Sequence, residues 1–187
     1  WVMGDVPNMG GKTAYVGKRD FYAAQVNKTL NHPIKGNLVG FTISGEGLEN
    51  NEVIYELMSD TAWSREKIEV VDWLDRYVEN RYQSDDPVLK EAWSGLHRSV
   101  YSSFTDHPTF GWQKMSLGRG TVYRDPKLIA AVEKFLSVAA QHENNANYRD
   151  DSLEMAAIAL SLRAEDYFLA VQHAMTHGEK DAATKAG

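Results

Sequence analysis

The 187-residue chain carries 20 Lys and Arg against 26 Asp and Glu, a formal charge of −6 with a pI near 5.5, and 43% of it is hydrophobic, an ordinary globular composition. That acidic balance leaves no electrostatic footprint for nucleic acid, whose binding rests on Lys and Arg neutralising phosphates. The absence of Cys excludes disulfides, thiolate zinc sites and Cys nucleophiles, and the apolar runs are broken well short of the roughly 18 residues of a membrane helix.

Trp1-Val2-Met3 reads as the end of a buried strand that enters a loop at the turn formers Gly4-Asp5-Val6-Pro7-Asn8. Beyond Gly10-Gly11, the residues Phe21, Tyr22, Ala23, Ala24, Val26 and Leu30 predict a helix over 18–30, stopped at Asn31-His32-Pro33. Asn37 to Ser44, with Leu38-Val39-Gly40-Phe41-Thr42-Ile43, has the length and content of a buried strand. A loop from Gly45 to Asn50 follows. Val53, Ile54, Leu57, Met58 and Ala62 then recur at helical spacing from about Asn51, with Asn50 or Asn51 available as cap.

Strand, helix, strand, helix implies parallel strands joined by a right-handed crossover, in an open sheet or a (β/α)8 barrel. Two strands close neither. The chain is therefore expected to continue a larger sheet or barrel lying upstream, and the opening on Trp1 and the polar run from Lys180 to Gly187 agree with a piece of a longer polypeptide.

From Trp63 the pattern changes to amphipathic stripes: Ile68, Val71, Leu74, Val78; then Leu89, Ala92, Trp93, Leu96, Val100; then Leu128, Val132, Phe135, Leu136, the last opened by Asp125-Pro126 as cap and first helical residue. A fourth stripe runs from Ser152 to Met175, half-buried by its polar other side. The fold class expected is α/β followed by all-α, with the α/β part over 1–63, a helical bundle over 64–187 and an irregular loop from Ser103 to Arg124.

Several fragments imitate motifs. Gly11-Lys12-Thr13 would close a phosphate-binding loop if position 6 were Gly, but it is Val6. Gly45-Glu46-Gly47 has two of the three glycines of a dinucleotide fingerprint, Asn50 stands in place of the third, and a carboxylate would repel the pyrophosphate. His173 and His177 are four apart on one helix face, yet Ala174 replaces the Glu of a zinc-protease pattern and no third ligand is evident. Trp73, Tyr77, Trp93 and Tyr101 fall on or beside the apolar stripes and read as core. No metal or cofactor is implied. Glu46 remains: a carboxylate directly after a strand and before a helix, at the end of parallel strands where ligands bind and catalytic groups gather. An ordinary exposed loop Glu is the alternative. Glu49 reads as a solvated loop charge and Glu52 as a first-turn residue favoured by the helix dipole.

Gly45-Glu46-Gly47-Leu48-Glu49-Asn50-Asn51-Glu52-Val53-Ile54-Tyr55, followed by Leu57-Met58 and Trp63, resembles the stretch around the nucleophile in the α-N-acetylglucosaminidases of glycoside hydrolase family 89. Trp73, Arg81-Tyr82, Ala92-Trp93 and Arg98-Ser99-Val100-Tyr101 are similar to the opening helices of that family's C-terminal domain. Trp1 with Asn8-Met9-Gly10-Gly11, and Tyr148-Arg149-Asp150-Asp151-Ser152-Leu153, resemble two further segments. The resemblance implies the last βα units of a (β/α)8 barrel joined to part of a helical domain. It implies retaining hydrolysis of a terminal α-linked N-acetylglucosamine, on heparan-type or mucin-type glycans, with Glu46 as nucleophile. Such a reaction needs a second carboxyl group about 5–5.5 Å away, which the resemblance puts upstream of Trp1, so the chain alone is expected to be inactive.

Trp1, Asn8 and His107 are the implied substrate-binding residues, and Glu52, Asn51 and Tyr55 orient the loop. The implied partners are the glycan and the rest of the same polypeptide, with no nucleic acid and no membrane span; homo-oligomerisation is left open, and the setting is secreted, periplasmic or lysosomal. The competing reading is a non-catalytic carbohydrate-binding or helical interaction module in which Glu46 only hydrogen-bonds sugar hydroxyls.

Overall fold

A computed structural model of the chain describes residues 1–6, 17–44, 52–102 and 126–178. Its first elements are β1 (Val2–Asp5), α1 (Arg19–Leu30), β2 (Gly40–Ile43) and α2 (Glu52–Trp63). β1 and β2 pair in parallel, with Val2 opposite Gly40 and Asp5 opposite Ile43, so α1 is the crossover that the order of elements called for. The ladder gains one bond at each end, from Val39 N–H to the Trp1 carbonyl and from Ser44 N–H to the Asp5 carbonyl, both 3.0 Å.

β1 runs further than the sequence suggests, because Gly4 and Asp5, read as turn formers, continue the strand opposite Thr42 and Ile43. A Cβ at Gly4 would stand 2.7 Å from Thr42 Cγ2, so glycine is there for the close approach of two strands. β2 is shorter than the expected 37–44. Its pairing with β1 runs from Gly40 to Ile43.

α3 (Val70–Tyr82), α4 (Pro87–Arg98), α5 (Pro126–Leu136), the short α6 (Ala139–His142) and α7 (Ala146–Thr176) make up the helical part. α4 starts where its sequence can satisfy the exposed amides: Pro87 is first in the helix, and the Asp86 carboxylate accepts from Val88 N–H at 2.8 Å. α7 is capped likewise by Asn145, which accepts from Tyr148 N–H at 3.0 Å, two turns before the predicted stripe at Ser152. α6 was not foreseen. Pro126 opens α5 as expected, while its predicted cap Asp125, the loop 103–124 and the caps Asn50 and Asn51 lie outside the described residues.

One apolar core runs through both parts, from Tyr22 and Ala23 on α1 and Ile54 and Leu57 on α2 to Leu74 and Val78 on α3, Leu89 and Leu96 on α4, Phe135 on α5 and Met155 on α7. Each large side chain fully buried there contributes about 1.5–3 kcal/mol. Trp73, Tyr77, Trp93 and Tyr101 are all core, with Tyr77 stacked on Trp73 and edge-on to Trp93 at centroid distances of 5.3 and 5.2 Å. α4 and α5 approach most closely at Gly95, where a Cβ would lie 2.9 Å from Ala131 Cβ. Among the described residues, no helix is long and apolar enough to cross a membrane.

Candidate functional site

Parallel pairing sends both strands out at the same end, through Val6 and Ser44. The segments leaving there, 7–16 and 45–51, carry Asn8 and Glu46; these two residues and His107 lie outside the described residues. What the structure establishes is how the chain is held on either side of them. At the strand ends, the Asp5 carboxylate accepts from Val6 N–H at 2.8 Å. Burial pushes its pKa up despite that hydrogen bond, and burial together with the Asp5 charge pushes the Tyr22 phenol up to about 12. Gly17 leads into α1 with φ +113°, a left-handed conformation that a side chain would strain, and a Cβ there would meet the Tyr22 ring at 3.0 Å.

The helix starts on the far side of both segments are tied to the helical part. Arg19, the first residue of α1, is fully buried; its N–H donates to the Tyr101 carbonyl at 3.2 Å and its guanidinium lies 3.6 Å from the Tyr101 ring centroid and 5.3 Å from that of Trp93. Glu52, the first residue of α2, pairs with Arg81 of α3. Arg81 donates through Nε and Nη2 to the two oxygens of Asp151 on α7, at 2.6 and 2.7 Å. Asp151 also accepts from the Tyr82 hydroxyl, which in turn accepts from Trp93 Nε1 at 2.9 Å.

Burial opposes the Arg81 charge, yet the hydrogen bond to Asp151, with Tyr77 and Glu52, raises its pKa above the ordinary value. A second tie joins the other ends of α2 and α3, where Trp73 Nε1 donates to Asp60 at 2.7 Å. Between them Glu56 has its pKa raised by burial and by the neighbouring Asp60 and Glu52, against the pull of Arg81.

Trp1 is the one predicted site residue that the structure describes, and it stands at the opposite end of the strand pair. Its indole N–H donates to the Lys35 carbonyl at 2.8 Å and its main-chain nitrogen to the Asn37 carbonyl at 3.1 Å, about 16 Å of extended chain from the Val6 end. The ring braces the turn into β2. The expectation that it sits at the outgoing end followed from ending β1 at Met3, two residues too early.

A cleft of about 730 Å3 between the sheet and α1 and α2 is lined by Met3, Tyr22, Leu38, Phe41, Met58 and Trp63, among others. Among the described residues that line it, Asp5 is the one carboxylate and most of the others are apolar. His173 and His177 are exposed at the end of α7 with stacked rings, centroids 4.1 Å apart. Among the described residues, no group of three or more His, Asp or Glu could hold a metal ion.

Arg81 and Asp151 fall in segments that carry the family resemblance, but the sequence pattern assigns no functional role to them or to Arg19. A signal was present, since Arg81 continues the buried series Trp73, Leu74, Tyr77, Val78 and Asp151 lies between Tyr148 and Met155: charges at positions where helical period demands apolar residues.

Comparison with known proteins places two family models end to end on the chain, the alpha-N-acetylglucosaminidase (NAGLU) TIM-barrel domain on residues 1–65 and the alpha-N-acetylglucosaminidase (NAGLU) C-terminal domain on residues 73–187. Human alpha-N-acetylglucosaminidase is 23% identical over 158 residues, which cover 80% of this chain and 21% of the human protein. A family 89 glycoside hydrolase from Clostridium perfringens, solved with 2-acetamido-1,2-dideoxynojirmycin, superposes over the whole chain with a TM-score of 0.86 at 22% identity, and the chain covers 22% of it. The same organism's enzyme, solved with GlcNAc-alpha-1,4-galactose, gives 0.85 at 22% identity and the same coverage. The chain thus spans about a fifth of the length of these relatives.

Proposed function

The chain belongs to the alpha-N-acetylglucosaminidase family, and from that premise we propose that it is the part of a retaining exo-glycosidase that carries the nucleophile. Residues 1–63 form the last βα units of a (β/α)8 barrel and 64–187 part of the helical domain. The barrel's remaining strands, and the acid/base carboxyl, come from elsewhere in the same polypeptide. One observation carries the reading: two family models match in order along a chain whose parallel strands both deliver their outgoing ends to the segments holding Asn8 and Glu46.

In the reaction, Glu46 attacks the anomeric carbon of a terminal α-linked N-acetylglucosamine while the acid protonates the departing oxygen. The C–O bond breaks as the glycosyl ester forms. Water then adds to the same carbon, gives its proton to the conjugate base, and releases Glu46 and the sugar with retained configuration. Asn8 and His107 supply hydrogen bonds to sugar hydroxyls. Trp1 is given no sugar contact in this reading, which is supported by its place at the other end of the strands. Heparan-type and mucin-type glycans end in such a sugar, and a secreted, periplasmic or lysosomal setting brings the enzyme to them. The chemistry calls for no metal or cofactor.

The test is hydrolysis of nitrophenyl α-N-acetylglucosaminide by the full-length polypeptide and its Glu46→Gln variant, which keeps the size and removes the nucleophilic charge. The expected loss is about a thousandfold or more in kcat. Equal activity of the two proteins would overturn the assignment of Glu46, and binding of the glycoside without turnover by wild type would leave a binding module.

A further inference from the structure

We infer that Arg81 is a positioning residue for the candidate nucleophile, acting through Glu52. The inference rests on the reading of Glu46 given above. Glu46 lies six residues before Glu52, and Glu52 is where the chain re-enters regular structure as the first residue of α2. The body of α2 is seated by Val53, Ile54 and Leu57, all buried in the core. The Glu52 side chain is 56% exposed and has no such packing to define it; its partner Arg81 is only 15% exposed.

Arg81 reaches Glu52 as a donor that is already immobilised. Nε and Nη2 grip both oxygens of Asp151, and the same Nη2 bridges to Glu52. Asp151 is fixed by Tyr82, and Tyr82 by the buried Trp93. A planar guanidinium held in this way loses little further rotamer freedom when it takes a second carboxylate. Exposed ion pairs contribute little to stability, so the effect of this one falls on where the chain enters α2. The other segment leaving the strand ends is treated alike, since Arg19 at the start of α1 is held over Tyr101 and Trp93, and Trp93 belongs to the Arg81 network. The helical part therefore sets the start of both helices that follow the outgoing strand ends.

The test compares full-length wild type with Glu52→Gln and Arg81→Lys, by hydrogen exchange over residues 44–58, by kcat and KM on the nitrophenyl glycoside, and by Tm. Glu52→Gln is expected to speed exchange in that segment about tenfold and to lower kcat tenfold or more, since displacements near 1 Å cost about a hundredfold. KM should stay within about threefold and Tm within about 2 °C, a split that loss of fold does not produce. Arg81→Lys keeps a charge for Glu52 without the two-point grip on Asp151 and should fall between the two. Unchanged exchange in Glu52→Gln overturns the inference whatever the activity, and faster exchange with kcat within twofold of wild type overturns it as well. If wild type is inactive, or Glu46→Gln is as active as wild type, the functional reading fails, and the exchange result still decides whether Arg81 and Glu52 hold this segment.

Discussion

Replacing Asp151 by Ala removes the acceptor of three hydrogen bonds at a position where its side chain is 8% exposed and that of Arg81 15%. Taking one partner from a buried ion pair costs about 3–5 kcal/mol, chiefly because the other charge stays buried without compensation. Here Arg81 keeps Glu52 at the exposed edge of the network and the Tyr77 ring 5.8 Å away, and the Tyr82 hydroxyl keeps Trp93. The lower end, about 3 kcal/mol, is therefore expected. For a cooperative unit of about 150–250 residues, 1 kcal/mol shifts Tm by about 2–4 °C, so the loss should read as roughly 6–12 °C in the thermal unfolding of the unit that holds this network and as the same free energy in urea titration.

The cost belongs to the orphaned guanidinium rather than to the worth of the pair. Arg81→Met combined with Asp151→Leu should therefore recover most of the loss, with a coupling of about 2 kcal/mol in the double-mutant cycle. An Asp151→Ala variant within 1 kcal/mol of wild type, or a double variant no more stable than the single one, would refute the reasoning.

Two further perturbations test the helical part. At Gly95, helix propensity favours Ala by about 1 kcal/mol, but the added methyl would lie 2.9 Å from Ala131 Cβ, and moving that atom means moving the backbone of α5. Overpacking of this kind costs about 1–3 kcal/mol, so Gly95→Ala should be destabilising on balance; adding Ala131→Gly should recover part of the loss, and a Gly95→Ala variant with raised Tm would contradict this. His97 is held below its ordinary pKa by burial first, then by the charges of Arg19 and Arg98, against Asp20. The unfolded chain therefore takes up this proton at higher pH than the native one, and the stability the neutral ring contributes is whole above about pH 6.5 and is lost as pH falls through the native pKa. His97→Gln should lose less stability than wild type between pH 7 and pH 5, read from urea midpoints, and parallel pH profiles would rule it out.

The order of elements was legible because composition and hydrophobic period are local properties: length with β-branched and aromatic content marks β2, and three- and four-residue spacings mark α2 to α5. Two of the errors of extent have one cause each. Gly4 and Asp5 are turn formers by type, and only the approach of Thr42, 38 residues on, makes glycine the residue a strand needs there; that displaced the strand end and carried Trp1 to the wrong side. Periodicity alone starts α7 at Ser152, because Asn147, Arg149, Asp150 and Asp151 make its first turns look polar; only the resemblance marks a helix start at Tyr148.

Asp151 is in fact buried against Arg81, from another helix 70 residues earlier. No local pattern can pair two such residues. Each nevertheless shows singly, as a charge three or four residues from apolar positions, Tyr77 and Val78 for Arg81 and Tyr148 and Met155 for Asp151, and a buried charge has to be matched. Arg19, three residues before Tyr22 and four before Ala23, is a third instance. Charges that interrupt apolar stripes, taken together, would have pointed to the junction between the strand-bearing and helical parts. Glu46 is a candidate for a different reason, since a position between a strand and a helix carries information without any contact being known. Position can nominate a candidate carboxylate, but the pairings that tie down Glu52 at the start of α2 run across the fold and become visible only when the helices are packed.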